Sequence, residues 1–490
     1  MTLSNATLDA LPDGVARPAY DRAGLTPGII HVGCGNFHRA HMAVYLDDLF
    51  ATGAGHDWAI LGAGVREGDA RMRAVLQGQD YLSSVIELAP EAKTARVIGA
   101  MTGFVPVEPG NAGLIAAMSD PAIRIVSLTV TEGGYYIDPK TGTFSPVHPD
   151  IRKDAANPAA PDTVFGAITA ALKARRAEGV PAFTVMCCDN VPHNGHVTRD
   201  AVVGLAQLSD PELAAWIAAE VAFPNSMVDR ITPATGPKER DLAASFGLQD
   251  AAPVTCEPFR QWVMEDNFPT GRPALEDVGV TFTPHVDKFE TMKIRILNGG
   301  HAIIAYPAGL RDIHFVHEAM ADPQVRAFLD KIETDEILPI VPPVPGTDLN
   351  DYKALIIDRF SNPEVADTVR RLCLDGSNRQ PKFIIPSIRD CLAAGRDATG
   401  LILLSALWCR YCYGTSESGA VIEPNDPSWD ALVARSTAAK DDPAQWLAMR
   451  EVYGDLGENP AVAARFAELL RAIWAEGSVA VIDRYLSGKL

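Results

Sequence analysis

The chain has 490 residues, of which 47% are hydrophobic and 21% charged, with a formal net charge of −19. That length calls for two or three domains, each with a well-filled core. The acidity excludes nucleic acid and anionic membrane as partners, since both need a basic surface, and a small neutral substrate fits better than a polyanion.

Met-Thr-Leu-Ser-Asn-Ala-Thr-Leu-Asp at the start has neither the basic opening nor the apolar core of a signal peptide, so a cytoplasmic location is expected. In the first half, short apolar runs at 29–32, 58–62, 123–129 and 183–187 alternate with helical patterns near 40–50, 69–76, 164–177 and 196–208. Such alternation predicts a mainly parallel sheet with crossover helices. A Pro-rich interval from Pro139 to Pro161 reads as a long excursion from that sheet. From about Phe289 the pattern changes. Asp or Asn followed by Pro recurs at Asp322-Pro323, Asn362-Pro363, Asp426-Pro427, Asp442-Pro443 and Asn459-Pro460, each pairing an N-cap acceptor with a proline suited to the first helical position. These starts predict an all-helical second domain with no fixed-period repeat. The most apolar run, near Leu401, is interrupted by Arg410 and is too short to span a membrane.

The eight cysteines make no disulfide framework in a chain this long; Cys187, Cys373 and Cys391 lie in or beside apolar runs, as expected in a reducing compartment. Cys409-Arg-Tyr-Cys412 lacks the second pair or histidine of a zinc site, so it reads as helix packing, and no metal is implied.

After the first expected strand comes Gly33-Cys34-Gly35-Asn36-Phe37-His38-Arg39-Ala-His41, with a helical pattern directly behind it. A dinucleotide fold places its phosphate loop there, where glycines admit the pyrophosphate and a helix start offers free N–H groups. His38 holds the place of the third glycine, and a lone G-x-G serves an ordinary turn as well. Beyond the second strand, Glu67 and Asp69 are both placed to accept ribose hydroxyls, which favours NAD over NADP, although Arg66 beside them suits a 2′-phosphate. Two further clusters, 129–135 with Thr131 and Glu132, and 188–195 with Asn190, follow expected strands at the ends where open α/β sheets bind ligands, and where turns also fall.

Lys293-Ile-Arg-Ile-Leu-Asn298-Gly-Gly-His301 puts an amine, an amide and an imidazole in one mostly apolar stretch. On an α-helix, Asn298 lies about 140° and His301 about 80° around from Lys293, so the three share one broad face. A lysine that exchanges protons near neutral pH must be desolvated or set beside another cation, and the isoleucines here supply burial. The same pattern also describes a snorkelling lysine and a structural histidine.

Six segments in order resemble the mannitol 2-dehydrogenase family, the polyol-specific long-chain dehydrogenases and reductases, along essentially the whole chain. They are the Gly33 loop, Thr-Val-Thr131-Glu132-Gly-Gly-Tyr135, Cys-Asp189-Asn190, Met227-Val-Asp229-Arg230-Ile-Thr-Pro233, the Lys293–His301 stretch and Asp375-Gly-Ser-Asn-Arg379-Gln-Pro-Lys382. The resemblance implies an α/β Rossmann-type N-terminal domain over 1–287 and a mainly α-helical C-terminal domain over 288–490. It implies reversible, metal-independent oxidation of a sugar alcohol such as mannitol or arabinitol to the 2-ketose with NAD. By position, Lys293 is the general base, and Asn190 and Asn298 hold the reacting oxygen. His301, Asp229, Arg371 and Arg379 bind the other hydroxyls, and Glu290 governs proton access to the base. Gly33, Cys34, Gly35, Asn36, Phe37, Arg39, Glu67, Asp69, Thr131 and Glu132 line the cofactor. Arg379 stands where many relatives carry lysine, which turns a point donor into a planar fork. The rivals are a hexuronate (fructuronate or tagaturonate) reductase, whose carboxylate Arg371 and Arg379 would clamp, and a non-catalytic nucleotide-binding sensor. Nothing in the pattern demands a partner, and a monomer or a small homo-oligomer fits equally.

Overall fold

The computed structural model describes residues 2–138 and 141–490, so Pro139 at the head of the Pro-rich interval lies outside the described residues, as does the side chain of Glu132. Two compact units divide the chain, Met1–Val286 and Asp287–Leu490.

The first unit is built on five parallel strands: β1 (Pro27–Val32), β2 (Ala59–Ala63), β3 (Met101–Phe104), β4 (Ile125–Leu128) and β5 (Thr184–Cys187), in the order β3-β2-β1-β4-β5. Helices cover both faces, which is why the strands read as apolar runs rather than as alternations. Ile29, Ile60 and Ile125 face one core with α2 (Met42–Ala51), which follows the short α1 (Asn36–Ala40). Ile30, Val126 and Val185 face the other, under α4 (Ala112–Ser119), α6 (Val164–Glu178) and α7 (Asn194–Ser209). Each fully buried Ile or Val there contributes about 1.5–3 kcal/mol of transfer free energy. Helix α3 (Glu67–Gln77) lies between β2 and the next strands in the chain. The Pro-rich interval contains α5 (Pro149–Ala156), capped by His148, whose side chain accepts from the Asp150 amide.

From β1 the chain first builds outward through β2 and β3, then crosses back to β4 and β5. The strand order therefore reverses between β1 and β4, and the carboxyl ends of those two strands open the crevice in which such sheets take ligands. Two small sheets flank this one; a strand of the second, β6 (Ser226–Asp229), is antiparallel to Gln261–Met264.

The second unit is helical. It contains most of α8 (Val286–Met292), then a π-helix over Lys293–Asn298 and α9 (Gly299–Leu310) in one run. Further helices are α10 (Pro323–Ile332), α11 (Leu349–Phe360), α12 (Gly376–Phe383), α13 (Thr399–Tyr411), α14 (Pro460–Glu476) and α15 (Ser478–Leu486). Every residue of α13 is buried, which makes it the central rod. The Asp/Asn-Pro pairs meet different fates. Asp322 and Asn459 cap α10 and α14 by accepting two backbone N–H groups each. Asn362 caps a single 3-10 turn, Pro363–Val365, and Asp442 precedes the four-residue helix Ala444–Leu447. Asp426 does not start a helix; its carboxylate accepts from the N–H and hydroxyl of Ser377, and the next helix begins at Trp429.

Candidate functional site

In the first unit β1 delivers the chain into Gly33, which has φ +98°, a conformation suited to glycine. A Cβ at Gly33 would overlap the Thr129 carbonyl, so β4 packs flush against the loop. The loop is pinned from beneath: the Gly33 N–H donates to Ala63 O at 3.1 Å and the Thr129 hydroxyl to Gly33 O at 2.6 Å. His31 lies under that hydroxyl, with Nε2 at 2.9 Å from Thr129 Oγ1 and Nδ1 at 2.7 Å from Ser127 Oγ. Because the Thr129 hydroxyl spends its proton on Gly33, Nε2 carries the imidazole hydrogen and Nδ1 accepts from Ser127. Burial pushes the His31 pKa down to about 3, which keeps the ring neutral. The missing third glycine is explained here. The ring of His38 lies flat on that of His31, with centroids 3.5 Å apart, and fills the space between strand and helix that a glycine would leave to close packing.

The predicted cofactor residues divide by what their side chains already do. Cys34 is buried, its thiol pushed up to about 12 by burial, and Gly35 starts α1 with no side-chain cap on the helix amides. Asn36 donates to Pro233 O at 3.0 Å and Thr235 Oγ1 at 2.9 Å, and accepts from Arg39. Arg39 is fully buried and its other arm donates to Ala252 O, so this pair braces the loop from behind. Phe37 stacks on His41. Asp69 Oδ2 accepts from the amides of Val65 and Arg66 at 3.0 and 2.9 Å, shaping the turn after β2, whereas exposed Glu67 meets Arg71 at 2.7 Å. Thr131, after β4, is exposed; the Glu132 side chain lies outside those described.

Asn190 is exposed just beyond β5. Its neighbour Asp189, a residue without a role in the sequence pattern, accepts from the amides of Val130 and Thr131 and from the Tyr135 hydroxyl. The only signal was its place, an acid directly after a buried strand. Asp229 ends β6 and is buried. Its neighbour Arg230 donates to Ala40 O at 2.7 Å and pairs with Glu87 at 2.5 Å.

In the second unit the Lys293 stretch departs from the α-helix assumed for it. The π-helix bonds residue i to i+5, so Asn298, five residues on, stands one turn above Lys293 on the same face instead of about 140° away. Lys293 is 7% exposed, and Glu290, almost one α turn before it, 8%. Asn298 Oδ1 and His301 Nε2 are both enclosed and, among the described residues, without a hydrogen-bond partner. The His301 ring stacks on Phe360 with centroids 4.3 Å apart. Burial, with Arg371, Arg359 and Arg379 around it, holds the His301 pKa well below the usual imidazole range, so it presents a neutral ring. Arg371 is forked onto Asp367, with Nε 2.5 Å from Oδ1. Arg379 Nη1 donates to the carbonyls of Arg371 and Leu372 at 3.3 and 3.1 Å. The turn that carries Arg379 starts at Asp375, in the left-handed region at φ 60°, and packs so closely that a Cβ on Gly376 would lie 2.6 Å from Trp408 Nε1. Phe360 and Arg359 carried no sequence signal, because they come from α11, far along the chain from His301.

Among the described residues no group of three His, Cys, Asp or Glu side chains is arranged to hold a metal ion, and no helix is long and apolar enough to cross a membrane. All eight cysteines are buried and free.

A sheet ordered in this way, with a glycine loop after its central strand and a separate helical unit following in the chain, defines a Rossmann-type dinucleotide-binding protein. Residues 27–277 match the Rossmann domain of mannitol dehydrogenase and residues 285–474 its C-terminal domain. The chain belongs to the mannitol dehydrogenase family. It is 69% identical to a mannitol 2-dehydrogenase of Cereibacter sphaeroides, over 96% of this chain and 99% of the other. With a mannitol 2-dehydrogenase of Aspergillus fumigatus it shares 39% identity, over 96% of this chain and 95% of that one. Among solved structures, the Pseudomonas fluorescens mannitol 2-dehydrogenase in ternary complex with NAD and D-mannitol matches with a TM-score of 0.88 at 43% identity, covering 99% and 100% of the two chains. A substrate-free D-sorbitol dehydrogenase matches with a TM-score of 0.90 at 35% identity, covering 98% and 100%.

Proposed function

We propose that this chain oxidises D-mannitol or a closely related sugar alcohol to the 2-ketose, reversibly and without a metal, with NAD as the hydride acceptor. The observation that carries the reading is the 69% identity to a mannitol 2-dehydrogenase over nearly the whole chain. The first unit offers NAD a fitting cradle: the Gly33 backbone has no room for a side chain, and the start of α1 is left without a side-chain cap. Bound NAD supplies the acceptor for the hydride that leaves the carbinol carbon.

The remaining chemistry belongs to side chains. Lys293 removes the hydroxyl proton, and Asn298, one π turn above it, and Asn190 hold the reacting oxygen. Fixed amide dipoles stabilise the negative charge that grows on that oxygen without solvent having to reorganise. The neutral His301 exchanges a hydrogen bond through Nε2 with a substrate hydroxyl and adds no charge of its own. Asp229, Arg371 and Arg379 bind the remaining hydroxyls, and Glu290 passes the proton between Lys293 and solvent. A hexuronate would call for a two-pronged guanidinium clamp, whereas Arg371 has Nε and Nη2 engaged by Asp367, which leaves Nη1 for a single hydroxyl.

A substrate panel tests this reading: mannitol, sorbitol and arabinitol with NAD+, and fructose, fructuronate and tagaturonate with NADH, followed by NADH absorbance. Mannitol and fructose are expected to give the highest kcat/KM. A hexuronate reduced faster than fructose would overturn the substrate class, and no turnover with any member would leave the sensor.

A further inference from the structure

We propose that Asp189 is a positioning residue that joins the loop after β4 to the loop after β5, so that Asn190 and the Thr131 backbone keep a fixed spacing; the roles of those two neighbours rest on the polyol dehydrogenase reading. The two strands run side by side, Leu128 level with Cys187, and their last shared hydrogen bond is from the Cys188 N–H to Leu128 O at 2.9 Å. Beyond it the ladder ends, and the Asp189 carboxylate takes over. Oδ2 accepts from the Val130 N–H at 2.8 Å and the Tyr135 hydroxyl at 2.6 Å, and Oδ1 accepts from the Thr131 N–H at 3.0 Å.

Thr131 is where this matters. It has φ 68° and ψ 159°, a conformation left almost wholly to glycine and the more strained for a β-branched residue. Such a residue persists only when its surroundings over-determine it, and an ionic acceptor aimed at its N–H does so. Asp189 is itself anchored. Its carbonyl accepts from Asn194 Nδ2 at 3.1 Å, and fully buried Asn194 is tied to both the N–H and the carbonyl of Ser226 in β6. The same carbonyl accepts from the Val191 N–H at 2.9 Å, closing a three-residue turn with Asn190 at its tip. One residue therefore aims Asn190 through its backbone and holds the strained Thr131 through its side chain.

A double-mutant cycle tests the clamp on the full-length enzyme. Asp189→Asn keeps the shape but turns an NH2 group toward one donor, and Thr131→Gly removes the need for a clamp. Asp189→Asn is expected to lower kcat for mannitol about 30-fold, a loss typical of a reacting group displaced by a fraction of an ångström to one ångström, with KM changed far less. In the Thr131→Gly background the same substitution is expected to cost at most about threefold. Equal losses in both backgrounds, or a lower Tm with kcat intact, would overturn the proposal. Should Asp189→Asn fail to fold, Thr131→Gly alone decides: strain relief raises its Tm above that of the wild type, and a fall refutes the strain. If the wild-type enzyme turns over no polyol, it is the functional reading that fails. The cycle is then read from the Kd for NADH, where the same non-additivity is expected and additivity overturns the clamp.

Discussion

Glu336 offers a quantitative test of how the helical unit is held together. It is 2% exposed, yet Oε1 accepts from the Gly400 N–H and the Tyr485 hydroxyl, both at 2.7 Å, and Oε2 from the Leu401 N–H at 2.9 Å. It thereby caps the central helix α13, which has no side-chain cap of its own, and ties down α15. Three donors stabilise the carboxylate, but burial outweighs them and raises its pKa to about 7. In the unfolded chain the group titrates near 4.5. Between those values the folded state holds a proton that the unfolded state has lost, so stability falls as pH rises from about 4.5 to about 7 and is constant with respect to this group outside that window. At about 1.4 kcal/mol per unit the loss is about 3 kcal/mol. Glu336→Gln, uncharged at every pH, lacks this dependence. Because the other titrating groups are common to both proteins, the difference between variant and wild type isolates Glu336. Urea unfolding followed by tryptophan fluorescence across this pH range should place the variant slightly below wild type at the acid end, where both side chains are neutral. Its relative stability should then rise by about 3 kcal/mol toward neutral pH. A gap that does not change with pH, or one that moves against glutamine, would refute the ranking of burial over hydrogen bonding at this residue.

Three further outcomes are expected. Gly33→Ala must open the contact between the loop and Thr129 and adopt φ +98°, so its affinity for NADH should fall at least about tenfold; unchanged binding would mean that the loop is not the cofactor cradle. Phe360→Ala removes the ring stacked on His301, worth about 0.5–1.5 kcal/mol, and should lower kcat/KM for the polyol about 3- to 10-fold with NADH binding intact. Treating the purified enzyme with a chelator should leave kcat unchanged, and a loss restored by added divalent metal would contradict the metal-free mechanism.

The parallel sheet was legible because its strands are buried on both faces and stand out as apolar runs, and the Gly33 loop because a glycine pair follows the first of them. Less legible was anything decided by long-range contact. Asn36 and Arg39 look like loop residues in the sequence, yet they spend their hydrogen bonds on Thr235, Pro233 and Ala252, some 200 positions away. His38 violates the glycine pattern, and only the His31 ring beneath it shows why a large side chain fits. Asp426-Pro427 has the form of a helix start, yet its carboxylate divides between the Ser428 N–H two residues on and the N–H and hydroxyl of Ser377, 49 positions away, and the helix begins only at Trp429. The π-helix has no local signature, since the apolar spacing around Lys293 is compatible with either winding. Thr131 is invisible for the opposite reason: no propensity places a β-branched residue at positive φ, and the acceptor that meets its N–H, Asp189, lies 58 positions away.

Proton transfer to a buried lysine on this π-helix, with hydride transfer to NAD, is tested most directly by comparing Lys293→Ala with the wild type in the oxidation of D-mannitol by NAD+, with the Kd for NADH measured alongside. Turnover is expected to fall by about 10²–10⁴-fold while NADH binds as before. Turnover close to wild type, or a loss of NADH binding that accounts for the loss of rate, would contradict it.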